Sequence, residues 1–276
     1  MNERFYLFRG CLIPTRLPQL ESSARFALDK MGIDAPDLPG ATCCVEPIGL
    51  QCLAEDTWLL TAARMLAIAE SDGREILTLC NGCYLSFVEA RNALNDSKKR
   101  GAVNQVLSQI GREYHGRGRV AHLLEVVGKH LDTISALRSR DLSNLKIAPH
   151  TGCHAVRPSH ADLAERSFAP RMLANIASSL GADVVHLEDW PACCGGGIAA
   201  IDEKVSSGIL EDVTSSYRNS GANCILTPCP FCFSQFDMRQ REGIPVMHLS
   251  QLLAHAFGAG PEVLGWKYHR TKVTWQ

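Results

Sequence analysis

The sequence has no apolar run as long as a membrane span requires. Its best candidate, Trp58 to Ala69, is interrupted by Arg64. It has no excess of positive charge: 28 Lys and Arg face 29 Asp and Glu, for a formal net charge of -1. That argues against a broad phosphate-reading face, and so against nucleic acid as a partner. The first ten residues, through Gly10, hold neither a long apolar stretch nor a small-residue cleavage site, which reads as a cytoplasmic chain. There is no Cys-x-x-Cys-x-x-Cys-x-x-x-Cys-Pro run, so no ordinary cubane iron–sulfur relay is encoded. No Gly-x-Gly-x-x-Gly stands between a strand and a helix, and no flavin motif is found. Gly116-Arg117-Gly118 is too short and too basic to serve. What remains is a chain of 276 residues, 46% hydrophobic, with room for two domains of ordinary size, each with its own core.

The cysteines carry the information. There are 12, and ten of them form one pattern written twice. The first copy is Cys11, then Cys43-Cys44, then Cys80-Asn81-Gly82-Cys83; the second is Cys153, then Cys193-Cys194, then Cys229-Pro230-Phe231-Cys232. A chance scatter would not reproduce the order single, pair, C-x-x-C. In a reducing compartment such thiols serve as metal ligands or redox groups rather than structural disulfides. Cys52 and Cys224 have no counterpart in the other copy and read as core thiols.

Other residues keep step with the cysteines. Phe5-Tyr6-Leu7-Phe8 runs as a short apolar strand towards Cys11, and Lys146-Ile147-Ala148-Pro149 does the same towards Cys153, each with Gly immediately before the cysteine. Helical spacing follows in Ser23 to Met31 and in Met172 to Leu180, and each segment stops at a glycine, Gly32 or Gly181. A second apolar face, Trp58, Ala62, Met65, Leu66 and Ala69, predicts another helix after the first cysteine pair. β-Rich runs lead into both C-x-x-C motifs, and each half closes with Val-x-His-Leu, at His122 and His248. The first half carries a polar, basic insert within 89–118, including Lys98-Lys99-Arg100, which reads as a solvated face or a partner contact. Strands alternating with helices predict an α/β fold of two pseudo-symmetric repeat domains, each a small, mostly parallel sheet flanked by helices. The halves are expected to be 1–140 and 141–276, with the cysteine loops converging at the carboxyl ends of the strands.

Five thiols per half is one too many for a tetrahedral zinc ion or an ordinary four-cysteine cube. The adjacent pair is the distinctive part, because neighbouring side chains on one turn reach two metals. A single C-x-x-C is equally at home in a zinc site or a thioredoxin-like motif, and a Cys-Cys pair alone is often apolar filler. The repeated set of five suits a polynuclear iron–sulfur centre. Gly195-Gly196-Gly197 after the second pair would let backbone approach such a centre and aim N–H groups at sulfur, which makes Gly195 and Gly196 candidate cofactor-binding residues. Val45-Glu46-Pro47 stands there in the first half, so the two sites are expected to differ. His154, beside Cys153, is the candidate proton donor, with His150 a weaker one; His122 and His248 open their helices and read as structural.

With Phe8-Arg9-Gly10-Cys11, His150-Thr151-Gly152-Cys153-His154 and Cys193-Cys194-Gly195-Gly196-Gly197 in place, the chain resembles the CCG cysteine-rich domain family along nearly its whole length. With two copies and little else, it is similar to the heterodisulfide reductase B subunits of that family. The first copy departs from the motif at Val45. The resemblance implies two noncubane 4Fe-4S clusters. One would sit on Cys11, Cys43, Cys44, Cys80 and Cys83, and the other on Cys153, Cys193, Cys194, Cys229 and Cys232. It also implies an oxidoreductase whose substrate, the mixed disulfide of coenzyme M and coenzyme B, lies between the clusters and is reduced to two thiols, a step of methanogenesis. Electrons would arrive from two further heterodisulfide reductase subunits, one holding flavin and iron–sulfur and one holding cubanes, coupled to a hydrogenase or formate dehydrogenase. Relatives acting on sulfur compounds, fumarate and thiols, glycolate or quinones form the alternative, and a non-catalytic electron carrier or zinc scaffold is the reading from another class.

Overall fold

The structure is a computed structural model and describes residues 4–45, 49–158, 170–187, 193–240, 243–273 and 275. Glu46 and Pro47 therefore lie outside the described residues. The strands are β1 (Phe5–Phe8), β2 (Glu75–Thr78), β3 (Val120–His122), β4 (Lys146–Pro149), β5 (Asp183–Val184), β6 (Cys224–Thr227) and β7 (Val246–His248). The first-half helices are α1 (Leu12–Arg16), α2 (Pro18–Lys30), α3 (Leu50–Leu53), α4 (Glu55–Ser71), α5 (Asn81–Ala93), α6 (Ser97–Leu107), α7 (Leu123–Gly128) and α8 (Leu131–Leu137). Those that follow are α9 (Met172–Ser179), α10 (Glu203–Asn219), α11 (Pro230–Arg239), α12 (Leu249–Ala256) and α13 (Pro261–Leu264).

Two parallel sheets result, ordered β1-β2-β3 and β5-β4-β6-β7. The first sheet gains an edge where Asp34 and Asp37 bridge in parallel to Arg4 and Leu7, in the place β5 occupies beside β4. The two orders are then the same. Strands covered on both faces must be apolar throughout, which is why Ile76, Leu77 and Thr78 of β2 and all of β6 are buried. Helix α2 begins earlier than the apolar spacing predicts because Pro18 sits in its first turn, where proline's fixed φ suits helix initiation.

The expectation of a separate core for each half gives way to an exchange of helices. α2 of the first half packs on α12 of the second, and α9 of the second packs on α7 of the first. These are equivalent pairs in the repeat, so each half covers the other. The larger apolar core consequently mixes Leu20, Ala24 and Leu124 with Ile176, Leu249 and Leu253. Ser250 Oγ donates to the Leu20 carbonyl at 3.0 Å and Ser22 Oγ to that of Val263 at 2.6 Å, fastening α2 across the boundary. A second core, around Trp58, Met65, Tyr84 and Phe87, belongs to the first half and reaches over only to Ala155 and Val156.

The basic insert is a folded element. Asp96 caps α6 through the Lys98 and Lys99 amides, Val103 and Leu107 turn inward, and Asn104 makes two 2.9 Å bonds to the Tyr114 backbone. Lys98 and Lys99 remain exposed, with Lys99 paired to Glu55 at 2.8 Å. Of the two unpaired cysteines, Cys224 is fully buried in β6, as a core thiol should be. Cys52 corrects the expectation: it stands exposed, because α3 is a single short turn on the surface.

Candidate metal centre

Six of the ten repeated cysteines sit just beyond a strand's end. β1 delivers Cys11 to the start of α1, and β4 delivers Cys153 to a short turn, Cys153–Ala155. β2 and β6 deliver Cys80 and Cys229 as the N-caps of α5 and α11, with Cys83 and Cys232 one turn inside. A helix N-terminus stabilises a thiolate by its free N–H groups and dipole. The Phe231 and Cys232 amides serve the Cys229 sulfur in this way, and the Cys83 amide serves Cys80.

The glycine before each single cysteine has a steric reason. Gly10 and Gly152 have φ of +67° and +80°. A Cβ on Gly10 would stand 3.0 Å from the Cys83 sulfur, and one on Gly152 would stand 2.6 Å from Asn81 Nδ2 and 3.4 Å from the Cys232 sulfur. The backbone thus passes directly over the C-x-x-C sulfurs. Asn81 Nδ2 reaches across the halves to the Thr151 carbonyl at 2.8 Å.

The ten repeated thiols form one connected series. In the first half Cys43 contacts Cys44, Cys44 bonds Cys83 at 3.4 Å, and Cys83 contacts Cys80, with Cys11 near Cys43. In the second half Cys153 contacts Cys193, Cys193 contacts Cys194, Cys194 contacts Cys232, and Cys232 contacts Cys229. The two sets meet where the Cys80 and Cys229 thiols interact across the halves. Crowding sets these groups against one another. Bonds from Cys153 and Cys194 hold Cys193 down to about 2, while Cys193 pushes Cys194 up to about 12. Cys229 is held well below the usual thiol range by Cys232 and Cys80, and Cys80, Cys83 and Cys232 are driven well above it by their neighbours. Two thiolates, Cys193 and Cys229, therefore suppress the ionisation of their direct neighbours. Ionising the full set requires multivalent positive charge among the sulfurs, so the donor set fits polynuclear iron.

Histidines surround the sulfurs unequally. His122 and His248 are fully buried, and each caps its helix through Nδ1, accepting from the Leu124 amide at 3.0 Å and the Ser250 amide at 3.2 Å. His248 Nε2 pairs with the Leu79 carbonyl at 3.1 Å, another bond across the halves. His154 is half-buried in the turn that holds Cys153. His150, ranked lower from sequence, is brought to sulfur: an imidazole nitrogen lies within 4.8 Å of the Cys194 and Cys232 sulfurs. Its Nδ1 pairs with the Tyr217 hydroxyl at 2.8 Å. Burial holds the ring neutral, pushing it down to about 4. Among the cations near the motifs, Arg9 is already paired with Glu21 and Asp37 at 3.3 and 3.6 Å, and Arg16, Arg157 and Lys204 stand exposed.

The profile of the cysteine-rich domain named CCG matches residues 5–88 and 147–237, together more than half of the chain. The chain belongs to the CCG cysteine-rich domain family. It is 38% identical over 273 residues to the B subunit of the ferredoxin/F420H2-dependent CoB–CoM heterodisulfide reductase of Methanosarcina acetivorans, covering 94% of this chain and 91% of that one. It is 30% identical over 283 residues to the 8-methylmenaquinol:fumarate reductase membrane anchor subunit of Wolinella succinogenes, covering 99% of both. A solved structure of a hypothetical protein from Helicobacter pylori shares the fold, with a TM-score of 0.79 at 18% identity. That match spans all of this chain and 53% of the other.

In this CCG protein the residue after each cysteine pair has a left-handed backbone. Gly195 has φ +76°, and Val45, at the same place in the first half, has φ +55°, the one positive φ of a non-glycine among the described residues. That conformation aims the Gly195 amide at the Cys193 sulfur, 3.3 Å away, and the Val45 amide serves Cys43 likewise. The Gly196 amide serves Cys194. Ser86 and Gln235, each three residues beyond the last cysteine of its half, hold the Cys44 and Cys194 carbonyls at 2.7 and 3.2 Å. A β-branched side chain in the left-handed region costs roughly 1–2 kcal/mol. Val45→Gly is therefore expected to stabilise the protein by about 1 kcal/mol, a Tm rise on the order of 3 °C. An unchanged or lowered Tm in a thermal melt would show that Val45 packing outweighs its backbone strain.

Proposed function

We propose that this chain is the disulfide-cleaving subunit of a heterodisulfide reductase, converting the mixed disulfide of coenzyme M and coenzyme B to two thiols. Cys11, Cys43, Cys44, Cys80 and Cys83 would hold one noncubane 4Fe-4S cluster, and Cys153, Cys193, Cys194, Cys229 and Cys232 the other, in repeat units 1–140 and 141–276. The observation that carries this reading is the meeting of the two thiol sets at Cys80 and Cys229. Opening a disulfide takes two electrons and two protons, and bound clusters supply electrons singly, so two adjoining centres match the demand. The protein's own residues orient and protonate. The Gly195 and Gly196 amides would steady the sulfurs they already face, Asn81 would lock the two cysteine loops together, and His154 would hand a proton to a product thiolate.

Electrons would arrive through partner subunits, an A subunit with flavin and iron–sulfur and a C subunit with cubanes, themselves fed by a hydrogenase or formate dehydrogenase. Cytoplasmic placement belongs to the same proposal. Among the described residues no helix is long and apolar enough to cross a membrane. The end-to-end match to the Wolinella succinogenes protein favours one second reading, the same two centres serving a quinol-linked fumarate system.

The first test is the metal content of the anaerobically isolated chain, where about eight irons and eight acid-labile sulfides are expected. The second is turnover of the assembled complex with the mixed disulfide. Zinc without sulfide would overturn the redox reading, and turnover with quinol and fumarate alone would establish the second one.

A further inference from the structure

We propose that His150 donates its Nε2–H to a sulfur of the second thiol set and so sets the reduction potential of the second centre above that of the first, an inference that rests on the reading of both sets as iron–sulfur sites. The pseudo-symmetry supplies the comparison. Phe8 and His150 occupy the same place in the repeat, just before the glycine-cysteine step of each half. Each meets a phenylalanine four residues beyond the last cysteine, edge to face: Phe8 on Phe87 at 5.0 Å and 85°, His150 on Phe236 at 4.7 Å and 80°. Packing at this place needs only a flat ring. The two nitrogens of His150 are what the second half adds.

Hydrogen-bond bookkeeping fixes how that ring is protonated. His150 is 1% exposed, its Nδ1 is taken by the Tyr217 hydroxyl, and its Nε2 has no partner within the protein. If Tyr217 donates to Nδ1, the single imidazole hydrogen lies on Nε2, on a ring that has a nitrogen within 4.8 Å of the Cys194 and Cys232 sulfurs. The reverse arrangement leaves a buried phenol hydrogen without an acceptor and turns a nitrogen lone pair towards anionic sulfur. Each such unmet group costs about 1–3 kcal/mol. A hydrogen bond to a cluster sulfur stabilises the more negative, reduced state and raises the potential. Phe8 offers the first centre no such bond. His150 is thus a positioning and tuning residue, held in its tautomer by Tyr217.

The test is an EPR-monitored redox titration of the full-length, anaerobically isolated protein, wild type against His150→Phe, His150→Gln and Tyr217→Phe, with iron and sulfide measured on each. His150→Phe is expected to keep its iron, because phenylalanine already fills the equivalent place. One of its two centres should become about tenfold harder to reduce, which is ~59 mV for a one-electron couple, while the other stays put. His150→Gln, which retains an N–H donor, should recover most of the difference. Tyr217→Phe should shift the same centre in the same direction by less. The 15N shifts of His150 in the wild type should report a proton on Nε2. Unmoved midpoints with full iron in His150→Phe, a proton on Nδ1, or strong 14N coupling showing Nε2 bound to iron would overturn this inference alone. A wild-type chain without iron would overturn the cluster reading and this one together.

Discussion

Gly195→Val is expected to strip the second centre and leave the first, so that the isolated chain carries about four irons in place of eight. A Cβ at Gly195 would stand 2.6 Å from the Ser206 carbonyl oxygen, and φ there is +76°. That oxygen is backbone within α10, so it has little freedom to give way. Ser206 Oγ also donates to the Gly195 carbonyl at 2.9 Å, and Gln235 bonds both Ser206 Oγ and the Cys194 carbonyl, so the loop is held on every side. Two costs therefore coincide: roughly 1–2 kcal/mol for the left-handed backbone and a displacement of the loop that aims amides at Cys193 and Cys194. Iron analysis with EPR of the two centres checks this. Eight irons and an unchanged melt in Gly195→Val would show that the loop's placement does not govern cluster binding. The contrast with Val45 is informative, since the same backbone turn carries a β-branched residue in the first half.

Acid is expected to unfold the protein between about pH 6 and 4 with uptake of three to four protons per chain. His122 is held down to about 3, and His150, His248 and His255 to about 4, in each case chiefly by burial. All four are at most 5% exposed. Released into water they would titrate near 6.5. The unfolded chain thus binds more protons below that value, and stability falls as pH drops from 6.5 towards the folded values. Each ring contributes a slope of about 1.4 kcal/mol per pH unit within this window, together roughly 5 kcal/mol per unit. A domain's whole stability is of order 5–15 kcal/mol, so about one to three units suffice. Melts at a series of pH values give the proton uptake directly. His255→Gln should lower it by about one, and a Tm independent of pH from 6.5 to 4.5 would refute the account.

Much of this was legible in the sequence because it is local. Strand, glycine and cysteine follow one another within a few residues. Spacing therefore predicted which strand delivers which thiol, where α9 runs and that His122 and His248 would open their helices in a structural role. The repeat of that order predicted two like sheets. Other features gave no such signal. Cys52 reads like Cys224 until the chain is folded and one is outside, the other inside. His154 is nearer than His150 to a cysteine in sequence, yet Nδ1 of His150 finds Tyr217, which lies 67 positions away.

By itself, then, the sequence determined the family, the two sets of five thiols and the α/β architecture, since each depends on contacts between near neighbours and on a pattern repeated. Only the tertiary structure decided that α2 and α9 trade places across the boundary, that the larger core draws on both halves and that Cys80 meets Cys229. Those outcomes depend on how distant apolar faces fit each other, and shape complementarity between remote segments leaves no period to read along the chain.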